Sequence, residues 1–162
     1  MIFVTVGTHE QQFNRLVEYI DKIAEKMDEE IIIQIGFSTY KPKHCVWKEF
    51  FSYSEMKEYI QKARIIITHG GPSSFIAPLQ IGKIPIVVPR RKEFNEHVND
   101  HQLNFCRKVA KRQGNIIEVE NIKELYEKIA DYDEIVANMQ TGLESNNSRF
   151  CGEFEKIVQR LF

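Results

Sequence analysis

Cysteine is scarce in this chain: Cys45, Cys106 and Cys151 are the three among 162 residues, with no close pair. An odd number so spaced excludes a disulfide framework and fits a reducing compartment. Long apolar runs are missing too, since no stretch approaches the roughly 18–20 residues of a membrane span. The opening MIFVTVGTHE has no basic leader, and its apolar run ends too soon for a signal peptide. The expectation is a cytoplasmic chain that meets a membrane only through a partner. Nor is there an excess charge of one sign: the formal net charge is -1, so no field steers the chain toward nucleic acid. The basic clusters Arg90-Arg91-Lys92 and Arg107-Lys108 with Lys111-Arg112 do not change that balance, and the second reads as a solvated helix face. Internal repeats and low-complexity tracts are lacking.

What is present is ordinary globular composition, 43% hydrophobic and 28% charged. A chain of this length buries roughly 68–70% of its unfolded surface and needs no staple. Apolar strands alternate with amphipathic helices. Ile2–Val6 reads as a strand buried on both faces, followed by a helical stripe of Phe13, Leu16, Val17, Ile20, Ile23, Ala24 and Met27. Ile31–Ile35 is the next strand, and a weaker one lies between Cys45 and Phe50. Ser52 with Glu55 has capping-box spacing ahead of a helix faced by Met56, Tyr59, Ile60 and Ala63. Ile65–Thr68, Ile86–Val88 and Ile116–Val119 are further strands. Helices are expected over Ser74–Ile81, stopped by Gly82, over about Asn95–Lys111, and after Asn121 with Glu124 as its cap. Near-continuous apolar strands separated by helices imply a parallel sheet covered on both faces. The fold expected is α/β, a Rossmann-like doubly wound parallel sheet over residues 1–140. Residues 141–162 follow as a linker, Thr141 to Ser148, and a C-terminal amphipathic helix with Phe150, Phe154, Ile157, Val158 and Leu161 on one stripe.

In such sheets ligands bind beyond the carboxyl ends of the strands, where strand order switches. Two glycine-containing strand ends compete for that place, Gly7-Thr8-His9 and His69-Gly70-Gly71-Pro72-Ser73-Ser74. In the second, the glycines leave no Cβ in the way of a phosphate, Pro72 stiffens the turn, and Ser73 and Ser74 cap the helix or donate hydroxyls. The free N–H groups of the helix's first turn then make an anion site suited to a diphosphate. A plain strand-to-helix turn would use the same residues. The segment is neither a Walker loop nor a Gly-x-Gly-x-x-Gly turn. Context favours a site, because Pro89 to Gln102 is a donor-rich loop on the next strand, placed to read sugar hydroxyls.

The run His69–Ser74, then Gly82-Lys83-Ile84-Pro85, Val87-Val88-Pro89-Arg90 and Glu96 to Gln102, resembles the C-terminal, donor-binding half of GT-B glycosyltransferases of family 28. The start Phe3 to Glu10, with Phe13 and Arg15-Leu16, is similar to a narrower branch: small capsule and exopolysaccharide glycosyltransferase subunits related to eukaryotic Alg13. The resemblance implies a GT-B C-terminal half-domain that holds a UDP-sugar. Its diphosphate would lie on Gly7 and Thr8 and on His69, Gly70, Gly71, Ser73 and Ser74, with Arg90 adding charge. The donor sugar would lie on Glu96, His101 and Gln102. One departure is Ala77, where many members carry a Glu that binds ribose; Glu93 and Glu96 are the acids near enough in sequence to replace it. The chain has the length of one GT-B half. The resemblance therefore implies a separate, membrane-anchored, Alg14-like partner that binds a polyprenyl-diphosphate-linked acceptor at the inner face of the plasma membrane. The C-terminal stripe is then either a docking surface or packing for its own domain.

Transfer of a sugar needs a base for the acceptor hydroxyl and stabilisation of the leaving diphosphate. His9 and Glu10 are the candidate bases within this chain, and the partner is the other source. The N–H groups at Gly70–Ser74 meet the diphosphate without a cofactor or metal. His97 and His101 stand four apart with Glu93 a turn earlier, the spacing of a zinc pair on a helix, but there is no HExxH pattern and no third ligand, so no metal is assigned. Cys106 reads as core. Trp47, beside Lys43-His44, stacks on a base or packs, and packing is preferred. The function expected is transfer of a hexose, galactose by analogy, from a UDP-sugar; a catalytically silent nucleotide-sugar-binding subunit is the alternative that Ala77 raises.

Overall fold

The computed structural model describes residues 1–139. The linker and C-terminal stripe lie outside the described residues. Within them six strands form one parallel sheet: β1 (Ile2–Thr5), β2 (Ile31–Gln34), β3 (Val46–Lys48), β4 (Ile65–His69), β5 (Ile86–Val88) and β6 (Ile117–Glu118), in the order β3-β2-β1-β4-β5-β6. Registers such as Ile2 with Ile31 on one side and Ile65 on the other keep the isoleucines level across the sheet. This is the strand order of the doubly wound dinucleotide-binding fold, so the Rossmann-like α/β expectation holds.

The alternation of side chains along each strand divides the core in two. Ile2, Val4, Val6, Ile33, Ile67 and Val88 face α1 (Asn14–Ala24), α5 (Leu125–Ala130) and α6 (Tyr132–Asn138). On the other side Phe3, Ile32 and Ile66 meet the Met56, Tyr59 and Ile60 stripe of α2 (Tyr53–Lys62). Beside it, Val87 packs under Phe75 of α3 (Pro72–Gln80) and Cys106 of α4 (His101–Gln113). Trp47 packs against the first core and donates Nε1–H to the Pro42 carbonyl, 3.0 Å. Cys106 is fully buried, and burial pushes its thiol up to about 12, which makes it core and not a nucleophile.

Two helix starts differ from the sequence reading. α3 begins at Pro72 and not at Ser74, because a proline's missing N–H costs nothing in the first turn and its φ is already helical. α4 begins at His101 and not near Asn95. A 3-10 turn over Lys92–Phe94 ends on Asn95 at φ +56, which breaks the helical path, and Glu96 then turns inward. Val98, inside the helix expected over Asn95–Lys111, is 67% exposed for the same reason. With His97 outside α4, the helical spacing that would have paired it with His101 on one face does not exist. Gly82 closes α3 at φ +76, as expected of a helix stop.

The α2 capping box is complete: the Ser52 hydroxyl accepts from Glu55 N at 3.3 Å, and the Glu55 carboxylate accepts from Ser52 N at 2.8 Å. Ser52→Ala is expected to cost about 1 kcal/mol in urea unfolding. A loss within error of zero would mean that tertiary contacts alone hold the start of α2.

Candidate functional site

Right-handed connections send the chain leaving β1 to one face and the chain leaving β4 to the other. A crevice opens between them. It is a cavity of about 840 Å³, within the usual ligand range of roughly 300–1,000 Å³. Its floor is made by Thr5 and Gln34 at the strand ends with Ile66 of β4; the Gln34 amide donates to Thr5 Oγ1 at 3.2 Å and its Oε1 accepts from Phe51 N at 3.0 Å. One wall is the β1–α1 loop, with Gly7, Thr8, His9 and Glu10. Another is the β4–α3 turn, with His69, Ser73 and Ser74. The third comes from α2 and the far end of α3, including Tyr53, Met56, Lys57, Ala77 and Gln80.

His69 is wedged between two glycines. A Cβ on Gly7, which sits at φ +76, would collide with its Nε2, and one on Gly71 would collide with its Cε1. Nδ1 accepts from Gly71 N at 3.0 Å, which places the ring proton on Nε2. Burial first, and then the charge of Arg90, push the His69 pKa down to about 4. At neutral pH the imidazole is therefore an uncharged N–H donor. The Ser74 hydroxyl is spent on the turn itself, donating to the carbonyls of His69 (2.9 Å) and Gly71 (2.6 Å). No side chain caps the N-terminus of α3, whose N-cap is Gly71. Gly70 answers a packing demand: a Cβ there would stand 2.8 Å from Cys106 Sγ, under α4.

Gln102, in the first turn of α4, is 7% exposed and lines the cavity. Its Oε1 accepts from Gly70 N at 3.0 Å and from Arg90 N at 3.2 Å, locking the β4–α3 turn to the end of β5. His9 stacks on His97, ring centroids 4.7 Å apart, and its Nε2 lies 2.9 Å from Gln11 Oε1. Glu10 is the one carboxylate among the cavity's lining residues.

Three expected site residues stand elsewhere. Arg90 is completely buried, its Nη atoms are taken up by backbone carbonyls, and it does not line the cavity. Glu96 is equally buried and accepts from Arg15 Nε and Nη2, both 2.8 Å, so neither sugar nor ribose reaches it. His101 is exposed, stacks on Phe105 and does not line the cavity. Glu93, the other acid considered for ribose, pairs with Arg91 at 2.6 Å. The floor pair Thr5 and Gln34 and the α2 wall were not anticipated. Their residues look like strand and core positions, and Met56 and Ile60 serve core and wall at once.

Gly7 and Gly82 share φ +76, but nothing lies within 4 Å of a Cβ on Gly82. Gly82→Ala should cost about 1 kcal/mol for backbone conformation alone. Gly7→Ala should cost about 2 kcal/mol more, from the collision with His69. Equal losses in denaturant unfolding would mean that the His69 wedge is loose. The depressed His69 pKa also fixes a pH dependence. The unfolded chain takes up a proton near pH 6.5, which the folded chain refuses until about 4. Stability is thus fully present above 6.5 and falls as the pH drops toward 4, by at most about 1.4 kcal/mol per pH unit from this group. His69→Asn should flatten the wild-type curve in that window; parallel curves would contradict the assignment.

The whole chain bears on what this crevice belongs to. Residues 1–161 match the model of the glycosyltransferase family 28 C-terminal domain. The chain is 32% identical over 121 residues to the UDP-N-acetylglucosamine transferase subunit ALG13 of Homo sapiens, covering 68% of this chain and 10% of that protein. It is 32% identical over 106 residues to the Mus musculus protein of the same name, covering 59% and 9%. It thus spans about a tenth of the length of the curated relatives it matches. Among solved structures, the glycotransferase of kitacinnamycin superposes with a TM-score of 0.63 at 18% identity, over 88% of this chain and 37% of that one, which supports the fold as a GT-B half-domain. A Rossmann-like half-domain with its crevice at the strand-order switch, matched from end to end by one family model, is a member of the glycosyltransferase family 28 C-terminal domain family.

Proposed function

We propose that this chain is the donor-binding and catalytic subunit of a two-component glycosyltransferase, transferring a hexose from a UDP-sugar to a polyprenyl-diphosphate-linked acceptor in capsular or exopolysaccharide assembly. The observation that carries the reading is the crevice itself, where an α3 N-terminus without a side-chain cap and the neutral N–H donor of His69 line one wall. Donors fixed in that way stabilise the charge that grows on a departing diphosphate. In the transfer the acceptor hydroxyl attacks the anomeric carbon, the bond to the diphosphate oxygen breaks, and the hydroxyl proton passes to a base. Glu10 and His9, in the β1–α1 loop that lines the same cavity, are the bases in this reading. His69 is unsuited to it, since its Nδ1 is engaged and its Nε2 already carries the proton.

The names of the curated relatives support UDP-linked donors and a subunit organisation. The second component in this reading is a membrane-anchored, Alg14-like subunit that brings the acceptor and recruits this chain from the cytoplasm to the inner face of the plasma membrane. Galactose is the sugar expected by resemblance, while the relatives' names carry N-acetylglucosamine. Because the diphosphate is met by N–H donors, the reaction proceeds without a metal or other cofactor. The silent-subunit alternative draws on one observation, that Ala77 lines the cavity and offers no carboxylate to a ribose.

Calorimetric titration of the wild-type chain and Gly71→Asp with UDP, GDP and ADP tests the donor site. Selective UDP binding, lost in the variant because position 71 has no room beside His69, is the expected result. Binding of all three alike, or an unaffected variant, contradicts it. With the partner present, transfer from UDP-galactose is measured against UDP-N-acetylglucosamine, UDP-glucose and UDP-glucuronate, with and without chelator. Transfer that survives chelation is expected, and Glu10→Gln with His9→Gln should lower kcat by about 10²-fold or more. Binding without any turnover would favour the silent subunit.

A further inference from the structure

Arg90 is a full charge placed where an apolar side chain would be expected. It is 0% exposed, packs its guanidinium 4.8 Å from the centre of the Phe13 ring, and follows β5 after Pro89. Burying a guanidinium is costly unless its donors are met. Here Nη1 and Nη2 meet loop carbonyls, while Nε, equally buried, has no partner among the described residues. Nη1 donates to Gln11 O (2.8 Å), Gln12 O (3.1 Å) and Glu96 O (3.1 Å), and Nη2 donates to Val6 O (2.8 Å).

These four carbonyls belong to two segments outside the strands and the α-helices. One is the stretch from Val6 to Gln12 that leaves β1, and the other is the loop between β5 and α4. The Glu96 side chain adds a tie from the β5–α4 loop to the start of α1: its carboxylate accepts from Arg15 Nε and Nη2 and from Arg91 N at 3.0 Å, while Arg15 also donates to Pro89 O at 3.0 Å. His9 and Glu10 lie between the clamped carbonyls of Val6 and Gln11, and His97 follows the clamped Glu96. The stacked rings of His9 and His97 bridge the two loops at the cavity edge.

We propose that Arg90, braced by the Glu96–Arg15 pair, is a positioning residue: it clamps the β1–α1 loop to the β5–α4 loop and so holds His9 and Glu10 at the crevice before any donor arrives. A lysine cannot replace it, because one ammonium lacks the planar fork that reaches two loops at once. The inference rests on the donor-site reading for its functional meaning, while the clamp itself is read from the loops alone.

The test compares full-length wild type with the charge-conserving Arg90→Lys by amide hydrogen exchange. Exchange in residues 7–13 and 91–100 should rise at least about tenfold while β1, β2 and β4 stay protected. The His97 ring supplies a signature that lost stability alone does not produce. Its pKa is lowered by burial first, then by His9 and Arg90. With the charge at position 90 retained, an upward move of the His97 titration reports that the stack has parted. UDP affinity should fall about tenfold in the same variant. No rise in exchange, a rise spread evenly through the sheet, or an unmoved His97 would overturn the proposal. Should Arg90→Lys fail to fold, Glu96→Gln loosens the second tie with Arg90 in place, and exchange unchanged in both loops would overturn it equally. A wild-type chain that binds no UDP contradicts the donor reading and not the clamp, and the two are told apart because the exchange comparison uses no ligand.

Discussion

The handedness of strand-to-strand connections sets out this molecule. The path from β1 through α1 to β2 moves one way across the sheet, while the paths through α2, α3 and α4 move the other way. Right-handed crossovers in opposite directions put their helices on opposite faces. The core is accordingly divided, with α1, α5 and α6 on one side and α2, α3 and α4 on the other. At β1 and β4, which are neighbours, the two courses part, and the backbone at their carboxyl ends is pulled to both sides. The crevice is what remains between them.

Close packing then fixes the details of that crevice. Glycine is required at positions 7 and 71 because the His69 ring fills the space a side chain would use, and at position 70 because α4 comes close beneath it. The same compression keeps His69 neutral and sets its tautomer through Gly71 N. A turn that looks in sequence like an open cradle for phosphate is thus partly filled by its own histidine, and it offers that histidine's N–H together with the start of α3. On another side, the β1–α1 and β5–α4 loops are joined by a buried guanidinium that serves their carbonyls.

Membership of the glycosyltransferase family 28 C-terminal domain family agrees with this architecture, a Rossmann-like half-domain with its crevice at the strand-order switch. Ala77 lines the cavity and offers no carboxylate to it. Gln80, a turn further along α3, and Tyr53 and Lys57 on α2 face the same space.

The sequence by itself determined the elements and their pairing type. Apolar β-branched runs such as Ile31–Ile33 and Ile65–Ile67 permit only strands buried on both faces, and Ser52 with Glu55 caps α2 through contacts three residues apart. It also determined the two glycine-bearing strand ends, because turn chemistry is local. Tertiary structure alone decided which polar residues face the crevice. Arg90 and Glu96 read as surface binding residues in a donor-rich loop, yet both are withdrawn into the protein, since their partners lie about eighty positions away at Val6, Gln11, Gln12 and Arg15. The false start of α4 has the same origin: helical periodicity extends back to Asn95, but the Arg15 and Arg91 contacts draw Glu96 out of it. Local spacing records what neighbours along the chain impose. A buried charge answers to groups that only folding brings within reach, and that is why its role had no signature in the sequence.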